Sequence, residues 1–68
     1  MKTFGKLRER IREKYKTQKV FALAMSMDIS TLNAKLNGLR DWTLSEIESA
    51  CRLLDIRMDE VKDYFFYD

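Results

Sequence analysis

Phe4, Leu7, Ile11 and Tyr15 recur at intervals of three, four and four residues, with lysine and arginine filling the gaps. That is the period of a single helical face, and it predicts a first helix over roughly 4–15. The same period continues along the chain. Thr17 is placed to cap a second helix, whose buried stripe is Phe21, Ala22 and Met25. Ser26 and Met27 interrupt the pattern, and Asp28 is placed to cap a third helix that runs to Asn37. Gly38 then supplies a left-handed terminating residue. After a loop from Leu39 to Thr43, Thr43 or Ser45 caps a fourth helix whose apolar face is Leu44, Ile47, Cys51 and Leu54, ending near Asp55. Asp59 to Phe66 reads as a brief fifth helix or turn leading into the aromatic run Tyr64, Phe65, Phe66 and Tyr67. Nowhere is there strand alternation or an internal repeat. The expected fold is all-α, a compact bundle of four to five short helices.

With 68 residues the chain has room for one small core, so a single domain over 1–68 is expected. The lack of proline, with only two glycines, argues that it folds throughout. No apolar run approaches the ~20 residues needed to span a bilayer, and the first 19 residues carry too many charges for a signal peptide. A cytoplasmic location follows. One cysteine, Cys51, and no histidine leave no intramolecular disulfide and none of the usual zinc-ligand sets. No metal or other cofactor is expected.

The net charge of +2 conceals a division along the chain. Residues 1–40 hold ten lysines and arginines against three acids, a balance of +7, whereas residues 41–68 hold three against eight, a balance of −5. One half attracts a polyanion and the other repels it, which orients any encounter with nucleic acid.

The second and third helices fit the packing constraints of a helix-turn-helix, in which one helix is held in the major groove by packing on another through a short turn. Phe21 and Met25 face inward, Met27 plugs the turn, Leu32 anchors the second of the pair, and Ala22 is small where the two come closest. Thr17, Gln18, Phe21, Ala22 and Met25, followed by Asp28, Ser30, Thr31, Leu32 and Asn37-Gly38, resemble the lambda-repressor-like family. The run from Thr31 to Trp42, together with Tyr64-Phe65-Phe66, is similar to small Cro-type and repressor-type regulators of temperate phages and integrated elements. The resemblance spans nearly the whole chain and implies sequence-specific binding of double-stranded operator DNA, with a recognition helix of about 28–37. It departs from the family pattern at Ser26, where glycine is common, and at Lys35, where an apolar residue is usual. A left-handed Ser26 would cost on the order of 1 kcal/mol. Val20 and Leu23 are also apolar where the family often carries charge, so they are candidates for a partner interface or for covering the C-terminal aromatics.

By resemblance, bases are read from the start and middle of the third helix, which here means Ile29, Ser30, Thr31, Asn33 and Ala34. Chemically, Ser30 can donate or accept at base edges, Asn33 can pair with adenine, and Ile29 or Ala34 can meet a thymine methyl. Phosphate contacts need donors near helix ends. Gln18 fits at the start of the second helix, and the resemblance places Asn37 and Arg40 on the next stretch of backbone. Lys19, Lys35 and Lys16 add attraction, and Arg10 either reaches a phosphate or pairs inside the fold. Trp42 is expected to complete the core. The family often binds as homodimers through the C-terminal segment, which here carries the four aromatic residues.

No nucleophile, base and orienting group can be assembled without histidine and without a glycine-rich phosphate loop, so neither an enzyme nor a small-molecule substrate is expected. The carboxylate pairs at Glu9 and Glu13 and at Glu46 and Glu48 lie on solvated helices, and Met58 is expected to pack the C-terminal turn. The competing reading is an antitoxin-like or adaptor module that uses Val20, Leu23 and the aromatic tail to bind protein. Membrane attachment by the first helix conflicts with the use of its apolar face in the core.

Overall fold

The computed structural model describes residues 3–66. It is all-α: α1 is Gly5–Tyr15, α2 Gln18–Ala24, α3 Ile29–Leu36, α4 Leu44–Leu54 and α5 Val61–Phe65, with a 3₁₀ turn at Met58–Glu60 leading into α5. The Cα radius of gyration is 10.7 Å, close to the ~11 Å of a compact chain of this length. Helix α1 is the hub, touching α2, α4 and α5, while α2 carries α3. Leu7, Ile11, Phe21, Leu32, Leu36 and Leu54 are fully buried at the centre.

Local chemistry sets where each helix starts and stops. Thr17 caps α2 as expected, its hydroxyl accepting from the Val20 amide at 3.2 Å. Thr43, not Ser45, caps α4, in a reciprocal arrangement: Thr43 Oγ1 accepts from the Glu46 amide (3.2 Å) and Glu46 Oε1 accepts from the Thr43 amide (2.8 Å). Asp28 occupies the cap position of α3, but its side chain makes no capping bond. At the other end of α3, Gly38 has φ 77°, and the Gly38 and Leu39 amides bond to the carbonyls of Lys35 (3.2 Å) and Ala34 (2.9 Å). This paired closure requires a left-handed residue, for which glycine has no steric penalty. Ser26 closes α2 the same way with φ 56°; the Ser26 amide reaches Leu23 (3.0 Å) and the Met27 amide reaches Ala22 (2.9 Å).

The apolar face of α4 differs from expectation at one end. Leu44 is 73% exposed, and Ala50 is buried in the core with Leu54, flanked by half-buried Ile47 and Cys51. Leu44 belongs to the first turn, beyond the reach of the small core, whereas Ala50 lies fully buried among the core side chains. Met58, expected to pack the C-terminal turn, is instead 89% exposed. Tyr64 and Phe65 are buried and Phe66 is exposed; Tyr67 lies outside the described residues. Trp42 fastens the loop before α4 to both ends of the chain, its ring 6.4 Å from Phe4 and edge-on to Phe65 at 5.2 Å. No helix of the described residues is long and apolar enough to cross a membrane.

Candidate nucleic-acid interface

Helix α3 divides into two arcs. Leu32, Lys35 and Leu36 face inward and are buried, whereas Ile29, Ser30 and Asn33 are exposed, with Thr31 and Ala34 half-buried beside them. Asn37, just past the helix, is also exposed. Ser30, Asn33 and Asn37 fall three and four residues apart, so they share one face. That face lies opposite the arc that packs on the core.

Lys35 corrects the expectation that its charge is offered to phosphate. The side chain is only 5% exposed; Nζ lies 2.9 Å from Glu46 Oε1 and donates to the Asp41 carbonyl at 2.7 Å. An inward position of the helix thus holds a lysine because the cap of α4 places a carboxylate against it. Burial alone would raise the Glu46 carboxyl, but the Thr43 amide and the Lys35 ammonium outweigh it and hold the carboxyl below its ordinary value. The α3 helix therefore buries both Lys35 and Leu36.

Arg10 is half-buried, and its guanidinium is also bound within the fold. Nη1 donates to the Leu54 carbonyl (3.0 Å), Nη2 to the Tyr64 hydroxyl (2.8 Å), and the guanidinium lies over the Tyr64 ring. The bond to Tyr64 pushes the arginine above its usual value despite partial desolvation. Of the two roles open to it, Arg10 takes the structural one: it satisfies a free carbonyl at the end of α4 and ties α5 to α1.

Lys19 and Arg40 are exposed. Gln18 is half-buried in a cleft of about 260 Å³ between α1 and α2, which Arg8, Ile11, Arg12 and Lys16 also line. Arg12 and Lys16 are exposed at this cleft. Their grouping follows from the γ-turn at Lys16, φ 70° and ψ −49°, closed by the Thr17 amide on the Tyr15 carbonyl at 2.7 Å. That turn has no distinctive sequence signal, so the cleft is not readable from the sequence. Arg8 reaches away from this cleft to α3: Nη2 donates to the Leu36 carbonyl and to Asn37 Oδ1, each at 2.8 Å, and Nε to the Thr3 carbonyl at 2.8 Å.

Residues 2–68 match the family described as "Protein of unknown function (DUF739)". The chain belongs to the DUF739 family. Among solved structures, this DUF739 chain is similar to the modulator of repression (MOR) of the temperate bacteriophage TP901-1 from Lactococcus lactis. The two share 31% sequence identity and a TM-score of 0.84, over 98% of this chain and 89% of that one. No curated protein matches it.

Among the described residues of this DUF739 chain, two apolar surfaces bear on partner binding. Leu23 is 72% exposed and, with Lys19, Ala22, Met27, Asp28 and Ile29, lines a shallow cleft at the turn between α2 and α3. Val20, also on α2, is exposed as well. The second surface is a groove on α4 whose lining includes Leu44, Ile47, Cys51, Met58 and Val61.

Proposed function

We propose that this chain is a regulator of the temperate-phage type that binds operator DNA, with α2 and α3 acting as a helix-turn-helix and α3 entering the major groove. The observation that supports this reading most is the outward arc of α3. It carries Ser30, Asn33 and Ala34 between Ile29 and Thr31 on its flanks, and the inward arc is closed by Leu32, Lys35 and Leu36. Base reading falls to the outward arc, and phosphate gripping to Gln18, Lys19, Asn37 and Arg40, joined by Arg12 and Lys16 at the α1–α2 cleft. Arg10 and Lys35 are withdrawn from that set because their charged ends are satisfied within the fold. The whole of 1–68 serves as one DNA-binding domain in the bacterial cytoplasm. It represses by occupying a promoter as a homodimer whose half-sites lie about 34 Å apart, and exposed Phe66 belongs to the pairing surface.

Selection from a random duplex library tests this. A palindromic consensus is expected, and Ser30→Ala is expected to alter the selected bases more than the overall affinity; a uniform loss across all sequences would make Ser30 a positioning residue instead.

A second reading is favoured by the likeness to a phage modulator of repression. Here the chain acts on a repressor protein through exposed Val20 and Leu23. Leu23→Asp then abolishes binding to the repressor and leaves duplex affinity unchanged, whereas the DNA-binding reading requires no protein partner besides a second copy.

A further inference from the structure

We propose that Arg8 is a positioning residue for the DNA-binding face: its guanidinium holds the Asn37 carboxamide with Nδ2 turned outward, as a donor for a backbone phosphate. The proposal rests on the DNA-binding reading above. Arg8 Nη2 donates both to the Leu36 carbonyl and to Asn37 Oδ1 at 2.8 Å, across 28 and 29 residues of sequence. The third bond, from Nε to the Thr3 carbonyl at 2.8 Å, fixes the plane of the group. A guanidinium carries donors alone, so the Asn37 atom facing it is the oxygen, and Nδ2 with its two protons occupies the other branch of the carboxamide. Asn37 is exposed, so those protons meet solvent or a bound anion.

The geometry is specific to arginine. Nη2 makes two of the bonds and Nε the third, so the plane of the group is fixed from two nitrogens; a lysine ammonium is a single point charge on a flexible stem with no second nitrogen for the Thr3 carbonyl. The same arginine borders the α1–α2 cleft with Arg12, Lys16 and Gln18, so one side chain links the two ends of the surface that grips the DNA backbone. Because the donor it presents is neutral, Asn37 adds affinity without adding a released counterion.

The test is a double-mutant cycle on one selected duplex, titrated at several salt concentrations. Arg8→Lys and Asn37→Ala are each expected to weaken binding about three- to tenfold. The double variant is expected to be no weaker than the weaker single one, with every salt slope that of the wild type. Arg8→Lys binding as tightly as the wild type, or a double loss equal to the product of the single losses, overturns the proposal. Asn37→Asp keeps the Arg8 partner but replaces the donor with a carboxylate. It is expected to keep the melting temperature and lose duplex binding, and retained binding contradicts the proposal. In the free protein, the Asn37 side-chain amide should be as ordered as the backbone by NMR relaxation, and mobile in Arg8→Lys. Equal mobility in the two proteins overturns the positioning role whether or not a duplex binds, whereas absent binding by the wild type refutes only the DNA-binding reading.

Discussion

Ser26 and Lys35 both stand where the sequence pattern leads one to expect another residue type, and the structure gives each a different physical meaning. Ser26 adopts the left-handed conformation at φ 56° that glycine would adopt without penalty. Ser26→Gly is therefore expected to stabilise the protein by about 1 kcal/mol, read as a rise of roughly 4–8 °C in melting temperature for a domain of this size; a fall would contradict the account. Lys35 is buried against Glu46. Lys35→Ala should cost roughly 2–3 kcal/mol by leaving a cavity and an uncompensated carboxylate, whereas Lys35→Met fills the cavity but not the lost charge, and should recover only part of that loss while leaving the salt dependence of duplex binding unchanged. A flattened slope in Lys35→Met would return that lysine to the phosphate contacts. The pair also carries a pH dependence. Because the folded Glu46 carboxyl sits below its ordinary value of 4.5, its contribution is complete above that pH and is lost as the pH falls through the lower folded value. Melting temperatures of the wild type and Glu46→Gln should differ at neutral pH and converge in acid.

The boundaries of the helices were largely legible in the sequence because they are decided locally. Thr17, Gly38 and Thr43 act through bonds to residues no more than four or five positions away, and the interval separating Leu7 and Ile11 identifies the buried face of α1, whereas Phe4, expected inside the helix, is its left-handed cap residue. Thr43→Ala removes the side-chain half of the α4 cap and is expected to cost about 1 kcal/mol, measured by urea denaturation; an unchanged midpoint would mean that the Glu46 side chain alone suffices to start the helix. The candidate site was only half legible. The exposed arc of α3 follows from the helical period once Leu32 is placed inside. The roles of Arg8 and Arg10 do not, since their partners lie 28 to 54 residues away. A lysine at an inward helical position reads as solvated unless its carboxylate partner is known, and Glu46 is brought to Lys35 by tertiary packing alone. Leu44 and Met58 fail in the opposite sense: their apolar character suggests burial, but the core is too small to reach them.

At the scale of the molecule, the division between a basic half and an acidic half acquires a spatial logic. Arg8 and Arg10 are committed to joining α1 to α3, α4 and α5, and Lys35 is neutralised inside. The exposed cations at the proposed surface are thus Arg12, Lys16, Lys19 and Arg40, fewer than the formal charge of residues 1–40 suggests. The salt dependence of DNA binding should be correspondingly moderate. With two to four phosphates neutralised by each protomer, affinity per half-site is expected to fall roughly tenfold to a hundredfold between 50 and 200 mM salt. Arg40→Gln should flatten the slope by about one unit per protomer for every duplex sequence. The measurement that bears most directly on the central claim is this titration, made by fluorescence anisotropy on a selected duplex with wild-type protein and Arg40→Gln. A moderate fall with salt, shallower in the variant, is expected, and absent or salt-insensitive duplex binding by the wild type would contradict DNA binding by this face.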